Sequence, residues 1–174
     1  MPYYQVAHIL IRSMNENDPV YFADEECAQG WHSTPSNLQK RLKDEEEGRC
    51  ITFVAECDGE GAGYVSLYLR PATGAFANQG IPEIVDFAVL EKFRRRGIGT
   101  RLMDAAEKDA AKRCSRVYLG VGLHSGYGSA QRMYVKRGYV PDGSGVWYQG
   151  RVCGEYDPCC NDDDLVLFLS KKLR

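Results

Sequence analysis

The chain of 174 residues has no apolar run near the ~20 residues that a membrane-spanning helix requires. Its first ten residues carry Gln5 and His8 where a secretory leader has an unbroken apolar stretch, so a cytoplasmic location is expected. The seven cysteines form no C-x-x-C pair, the spacing on which small zinc sites are built, and their odd number leaves no complete disulfide framework. They read as reduced thiols and no metal is expected; Cys153, Cys159 and Cys160 are the one cluster with a metal or redox alternative. An excess of one charge is also missing. With 22 Lys and Arg against 24 Asp and Glu, a formal net charge of -2, wrapping of nucleic acid by counterion release is not expected. Neither a repeat of fixed period nor a low-complexity tract is present.

What is present suffices for one core. A chain of this mass should expose roughly 8,500 Å² folded and about 28,000 Å² unfolded, so disulfide staples are unnecessary and one domain over 1–174 is expected. The fold class expected is mixed α/β, with a mostly antiparallel sheet of about six or seven strands and about four helices. Val6 to Arg12 reads as a strand, Val20 to Gly30 as weakly helical, and Leu38 to Glu47 as a charged helix behind Thr34-Pro35-Ser36. Cys50 to Cys57 and Gly63 to Leu69 are rich in β-branched and aromatic residues around a turn at Asp58-Gly59-Glu60-Gly61, which predicts a hairpin. Glu83 to Leu90 is an apolar strand interrupted by Asp86. Ile98, Leu102, Ala105, Ala106 and Ala110 recur at helical spacing. Val117 to Leu123, Val146 to Tyr148 and Leu165 to Ser170 read as strands, and Ser129 to Arg137 as a short helix closed by Gly138.

The segment Arg94-Arg95-Arg96-Gly97-Ile98-Gly99-Thr100 joins the apolar strand to the amphipathic helix. Backbone N–H groups at a helix start have no intrahelical acceptor, two glycines let a phosphate approach them, and the helix dipole and three arginines add positive potential. The plain alternative is a glycine turn beside a solvated basic surface. A P-loop would need G-x-x-x-x-G-K-[ST], and a dinucleotide fingerprint would need glycine where Leu102 stands.

The surviving pattern R-x-x-G-x-G, at Arg94, Gly97 and Gly99, resembles that of the GNAT superfamily of acetyl-CoA-dependent N-acetyltransferases. A second stretch, Ser129-Ala130-Gln131-Arg132-Met133-Tyr134 followed by Arg137-Gly138-Tyr139, is similar to the family helix that carries a tyrosine near the thioester sulfur. The likeness in element order covers roughly residues 6–171.

The resemblance implies acetyl-CoA as co-substrate, with its pyrophosphate on the turn Arg94, Arg95, Arg96, Gly97, Ile98, Gly99 and Thr100. Its pantetheine arm would lie along Phe87, Ala88 and Val89, and Ser129 would contact the coenzyme. A backbone N–H near Val89 would serve the developing oxyanion. An alkylammonium with pKa near 10.4 must lose a proton before attack, a cost of about 4.6 kcal/mol at pH 7, so a base is expected. The resemblance places it at Glu83, whose distance along the chain to Gly97 agrees with the histone-modifying branch, with Asp86 as the rival. By alternation Asp86 faces away from Glu83, a parity that a bulge in this strand would upset. Tyr134 is implied as the acid that protonates the departing thiolate.

The expected activity is acetyl transfer to a primary amine of a small molecule or peptide, by a monomer or homodimer with no nucleic acid or membrane partner. Alternatives are a non-catalytic acyl-CoA-binding module of the same fold, a different acyl group, or an alcohol acceptor. Acceptor identity should reside in the first two helices, the Pro71 to Gly80 loop and the segment Pro141 to Asp164. There Asp162-Asp163-Asp164 and Glu155 are either cation-attracting or merely solvated. Trp31, His32, Tyr127, Trp147 and Tyr148 are either pocket walls or core.

Overall fold

The computed structural model describes residues 3–6 and 8–173. It contains β1 (Tyr4–Val6), β2 (Ile9–Ser13), α1 (Asp18–Ala28), α2 (Ser36–Glu46), β3 (Cys50–Cys57), β4 (Glu60–Tyr68) and β5 (Glu83–Val89). These are followed by α3 (Ile98–Ala111), β6 (Arg116–Gly122), α4 (Gly128–Lys136), β7 (Val140–Tyr148), β8 (Arg151–Val152) and β9 (Leu165–Lys172). The fold is mixed α/β with four helices, as the sequence implies. Among the described residues there are nine strands, more than the expected six or seven, because β1 and β8 are too short, at 3 and 2 residues, to carry a readable alternation. The expected strand Val6 to Arg12 is split between β1 and β2, and its Ala7 lies outside the described residues. None of the described helices is long and apolar enough to cross a membrane.

The chain divides into two compact units. The first comprises Met1–Tyr68 and Val85–Asp109, the second Leu69–Ile84 and Ala110–Arg174. In the first, β1, β2, β3 and β4 pair antiparallel in sequence order, and β5 follows β4. Cys57 pairs with Glu60, so the hairpin loop is only Asp58-Gly59. Both residues have positive φ, 54° and 86°, the geometry that follows the strand twist most closely. On α3 the residues Ile98, Leu102, Met103 and Ala106 are buried, in accord with the helical spacing of the sequence. In the second unit Glu83 and Ile84 of β5 pair parallel with Tyr118 and Leu119 of β6, while β6–β9, β9–β7 and β7–β8 are antiparallel.

Two buried carboxylates of the first unit are matched by arginine. Asp18, buried at the start of α1, accepts two bonds from Arg12 of β2, at 2.7 and 2.8 Å, and the same guanidinium reaches Glu56 of β3 at 2.6 Å. On α2, Asp44 accepts from Arg49 at 2.5 Å and from the Tyr68 hydroxyl of β4. Arg41, one turn earlier, donates to the same Tyr68 oxygen and to Asp86 of β5 at 2.5 Å. Its guanidinium also lies over the Tyr68 ring, 4.9 Å from the centroid. The network ties α2 to β4 and β5 through side chains alone.

Burial pushes the Asp44 carboxyl up, but the bonds from Tyr68 and Arg49 outweigh it and hold the group below the ordinary carboxylate value. A depressed folded pKa means stability that is fully present above the unfolded value and lost as pH falls through the folded one. Asp44→Asn should therefore destabilise the protein by about 1–3 kcal/mol near pH 7. The gap to wild type in urea denaturation should close as the pH is lowered toward ~3, because only the wild type has this carboxylate to lose.

Candidate functional site

The turn between β5 and α3 is built from three backbone devices. Glu91–Phe93 form one 3-10 turn whose Phe93 is buried, Arg94 is extended (φ -62°, ψ 157°), and Arg95 is left-handed at φ 62°. Gly97 is left-handed at φ 78°, a region costly for a residue with a Cβ. Arg101 donates its N–H to the Gly97 carbonyl at 3.2 Å, the first intrahelical bond, so the N–H groups of Ile98 and Gly99 lie ahead of it at the positive end of the dipole. No acidic residue occupies the first turn of α3.

Around this helix start the three arginines are exposed but not equivalent. Arg94 bonds Glu91 at 3.1 Å and stacks over Trp31, 5.5 Å from the ring centroid, so its charge is partly offset. Arg96 lies over Phe93 at 5.5 Å. Backbone donors, helix dipole and exposed guanidinium groups together suit a pyrophosphate.

Gly99 has a second role that its motif does not reveal. A Cβ there would come within 3.0 Å of the Phe87 ring and 3.6 Å of Val89, so α3 is seated on β5 by the absence of a side chain. A Cβ at Gly97 would meet nothing within 4 Å. A side chain at 97 thus projects into the open space where an anion would bind, whereas one at 99 would first push β5 away.

Within β5, Asp86 is left-handed at φ 51° and its carboxylate is held by Arg41. This irregularity breaks the two-residue alternation from which Asp86 was expected to face away from Glu83. A cavity of about 550 Å³ opens in the first unit, lined on one side by Asp86, Phe87 and Ala88 and on another by Trp31, His32 and Ser33 of the α1–α2 connection. Glu26 of α1 and Tyr64 of β4 also line it. Glu26 is only 5% exposed, and its carboxylate accepts from Tyr64 at 2.7 Å and from the Ser33 hydroxyl at 2.6 Å. Burial first, and then the Glu26 charge, raise the Tyr64 phenol far above its usual range, so it stays a protonated donor. Trp31 and His32 are therefore cavity walls. Glu26 and Tyr64 were not singled out from sequence, and no spacing rule marks them.

The other candidates belong to the second unit. Glu83 is half-buried, and the Tyr118 hydroxyl lies 3.2 Å both from its Oε2 and from the Thr73 carbonyl. Tyr134, on α4, is buried, its ring 5.8 Å from that of Tyr139, and burial raises its phenol well above the ordinary value. Ser129 is exposed in the first turn of α4. Tyr127 is not a free aromatic wall, since its hydroxyl donates to Asp163 at 2.9 Å, the same oxygen that His124 Nε2 reaches at 2.9 Å. Trp147 donates its indole N–H to Ser144 at 2.7 Å and packs against Phe168, while the Tyr148 hydroxyl lies 3.4 Å from Asp162. Cys50 and Cys57 are buried, Cys27, Cys159 and Cys160 exposed, and all seven cysteines are free thiols.

Comparison with known proteins agrees with this geometry. The model of the acetyltransferase (GNAT) family matches residues 5–139. An N-alpha-acetyltransferase of Sulfurisphaera tokodaii is 31% identical over 144 residues, 78% of this chain and 72% of that protein. Among solved structures, Ard1 from Thermoplasma volcanium is 20% identical with a TM-score of 0.68, covering 97% of this chain and 99% of that one. A ribosomal L7/L12 alpha-N-protein acetyltransferase in complex with coenzyme A is 15% identical with a TM-score of 0.72, covering 99% and 98%. At these identities the structural likenesses bear on the fold.

Placing valine at either glycine tests the turn. Gly97→Val and Gly99→Val should each weaken acetyl-CoA binding at least tenfold in titration calorimetry, with circular dichroism confirming that the variants remain folded. Unchanged affinity in a folded variant would remove the turn from coenzyme binding.

Proposed function

Because this chain belongs to the GNAT family of acetyltransferases and is an acyltransferase using acetyl-CoA, we propose that it moves the acetyl group onto a primary amine held in the cavity beside β5. The acceptor favoured is the α-amine of a polypeptide, since the Sulfurisphaera tokodaii relative is an N-alpha-acetyltransferase. In this reading residues 1–174 act as one catalytic domain. The observation that carries it is the double duty of Phe87: its ring supports Gly99 of the anion turn, and the same residue lines the cavity. Donor and acceptor sites thus share one side chain.

The roles follow from the resemblance and from the chemistry of each group. The N–H groups ahead of Arg101, with Arg95 and Arg96 nearby, hold the pyrophosphate, and Ser129 adds a polar contact. The backbone of Phe87, Ala88 and Val89 grips the pantetheine arm as an added strand would, and an N–H near Val89 stabilises the carbonyl oxygen as charge develops on it. Glu83 takes the proton that the ammonium must lose, directly or through water. It is preferred to Asp86 because the Asp86 carboxylate is already paired with Arg41. The neutral amine attacks the thioester carbon, the C–S bond breaks, Tyr134 protonates the sulfur, and the remaining proton lost by the nitrogen restores the phenol. Its raised pKa keeps that proton available at neutral pH.

Steady-state kinetics with acetyl-CoA and an unblocked peptide tests these roles. Glu83→Gln should lower kcat by about 10²–10⁴-fold and flatten the acidic limb of the kcat/KM profile. Tyr134→Phe should lower kcat with little change in the KM for acetyl-CoA. If both variants keep wild-type kcat/KM and pH profile, the assignment of base and acid is wrong.

A further inference from the structure

We infer that Glu26 is the acceptor-binding residue of this site, the carboxylate that receives the incoming ammonium and so selects cationic amines over neutral acceptors; this rests on the proposed function, which it makes specific.

Three carboxylates of the first unit, the buried Asp18 and Asp44 and the half-buried Asp86, are held by arginines. Asp18 is matched by Arg12, Asp44 by Arg49, and Asp86 by Arg41. Glu26 is as buried as Asp18, at 5% exposure each, yet its two hydrogen-bond partners are neutral hydroxyls, Tyr64 and Ser33. Among the described residues no lysine or arginine pairs with it, and neither type lines the cavity it faces. His32, exposed on the cavity wall, is not within bonding distance of it. Two neutral donors satisfy part of a carboxylate that can accept about four bonds, and they leave its charge uncompensated. A buried charge is costly unless it is paired, so the arrangement is complete only when a cation enters.

The cavity supplies the path for one. Its other wall is Phe87 and Ala88, two of the strand residues proposed to grip the pantetheine arm, so a cation drawn to Glu26 enters the cavity that borders that strand. Trp31 and Phe87 line the same space. Tyr64 and Ser33 act as positioning residues, fixing the carboxylate so that little side-chain entropy is lost on capture.

The test uses Glu26→Gln, of equal shape but without the charge, and Tyr64→Phe, which removes one neutral donor. Thermal unfolding is recorded without coenzyme, alone and with the amide of tetra-alanine, either with a free α-amine or N-acetylated. Without peptide, Glu26→Gln should melt about 2–4 °C above wild type, because an unpaired buried charge is gone, and Tyr64→Phe should melt below it. The free-amine peptide should stabilise wild type and Tyr64→Phe but not Glu26→Gln, and the acetylated peptide should stabilise none of them. In turnover, Glu26→Gln should raise the KM for the free-amine peptide by about 10–100-fold and leave that for acetyl-CoA unchanged. Glu26→Gln melting at or below wild type, an undiminished response of this variant to the free amine, or a wild type indifferent to it would each overturn the inference. Failure to bind acetyl-CoA would instead sink the coenzyme reading and leave these coenzyme-free measurements intact.

Discussion

The ion pair between Arg41 and Asp86 is the interaction on which the site depends. A non-glycine residue in the left-handed region costs about 1–2 kcal/mol, and β5 adopts that conformation at Asp86, one residue before the segment that meets both α3 and the cavity. Arg41 holds the Asp86 carboxylate at 2.5 Å, and Tyr68 and Asp44 fix Arg41 in turn, so α2 braces an irregular strand that propensity alone would straighten. Because the brace is made of hydrogen-bonded charges, it is directional in a way that apolar packing is not.

How much of this could be read from the sequence follows from which features are local. The apolar stripe of α3, the R-x-x-G-x-G turn, the Asp58-Gly59 reversal and most strands depend on neighbours a few positions apart, and their spacing is visible in the letters. The two shortest strands were invisible because two or three residues carry no period. Asp86 stood out as an acid in an apolar strand, but its partner lies 45 residues away on a helix that reads as a solvated charged surface. Glu26 is harder still. It sits on a helix of weak amphipathic character, and its burial arises from Tyr64, 38 residues on, and from the α1–α2 connection folding back to Ser33.

The second unit shows the same division. Tyr134 and Gly138 follow from a short motif, whereas the hydroxyl that Tyr118 presents to Glu83 depends on the parallel pairing of β5 with β6 at Glu83 and Ile84. Aromatics that composition offered as pocket candidates divide by fold position: Trp31 borders the cavity, while Tyr127 and Trp147 spend their polar atoms on Asp163 and Ser144. Two acids of the 162–164 run are likewise absorbed locally: Asp162 accepts from the Asp164 N–H, and Asp163 is bonded to His124 and Tyr127 and held below the ordinary carboxylate range by those bonds.

Phe87 touches the anion turn on one side and the cavity on the other, and this divides the freedom of the two cavity walls to change. In the proposed reading, a substitution at position 87 that reshapes the acceptor cavity also unseats Gly99 of the coenzyme turn, so the two affinities change together. The facing wall, Trp31 to Ser33, is a connection between helices that meets the turn only through the Arg94 side chain lying over Trp31, and loops of this kind tolerate replacement and insertion. On that reading, divergence of acceptor preference is channelled into the α1–α2 connection, while β5 stays fixed by the coenzyme.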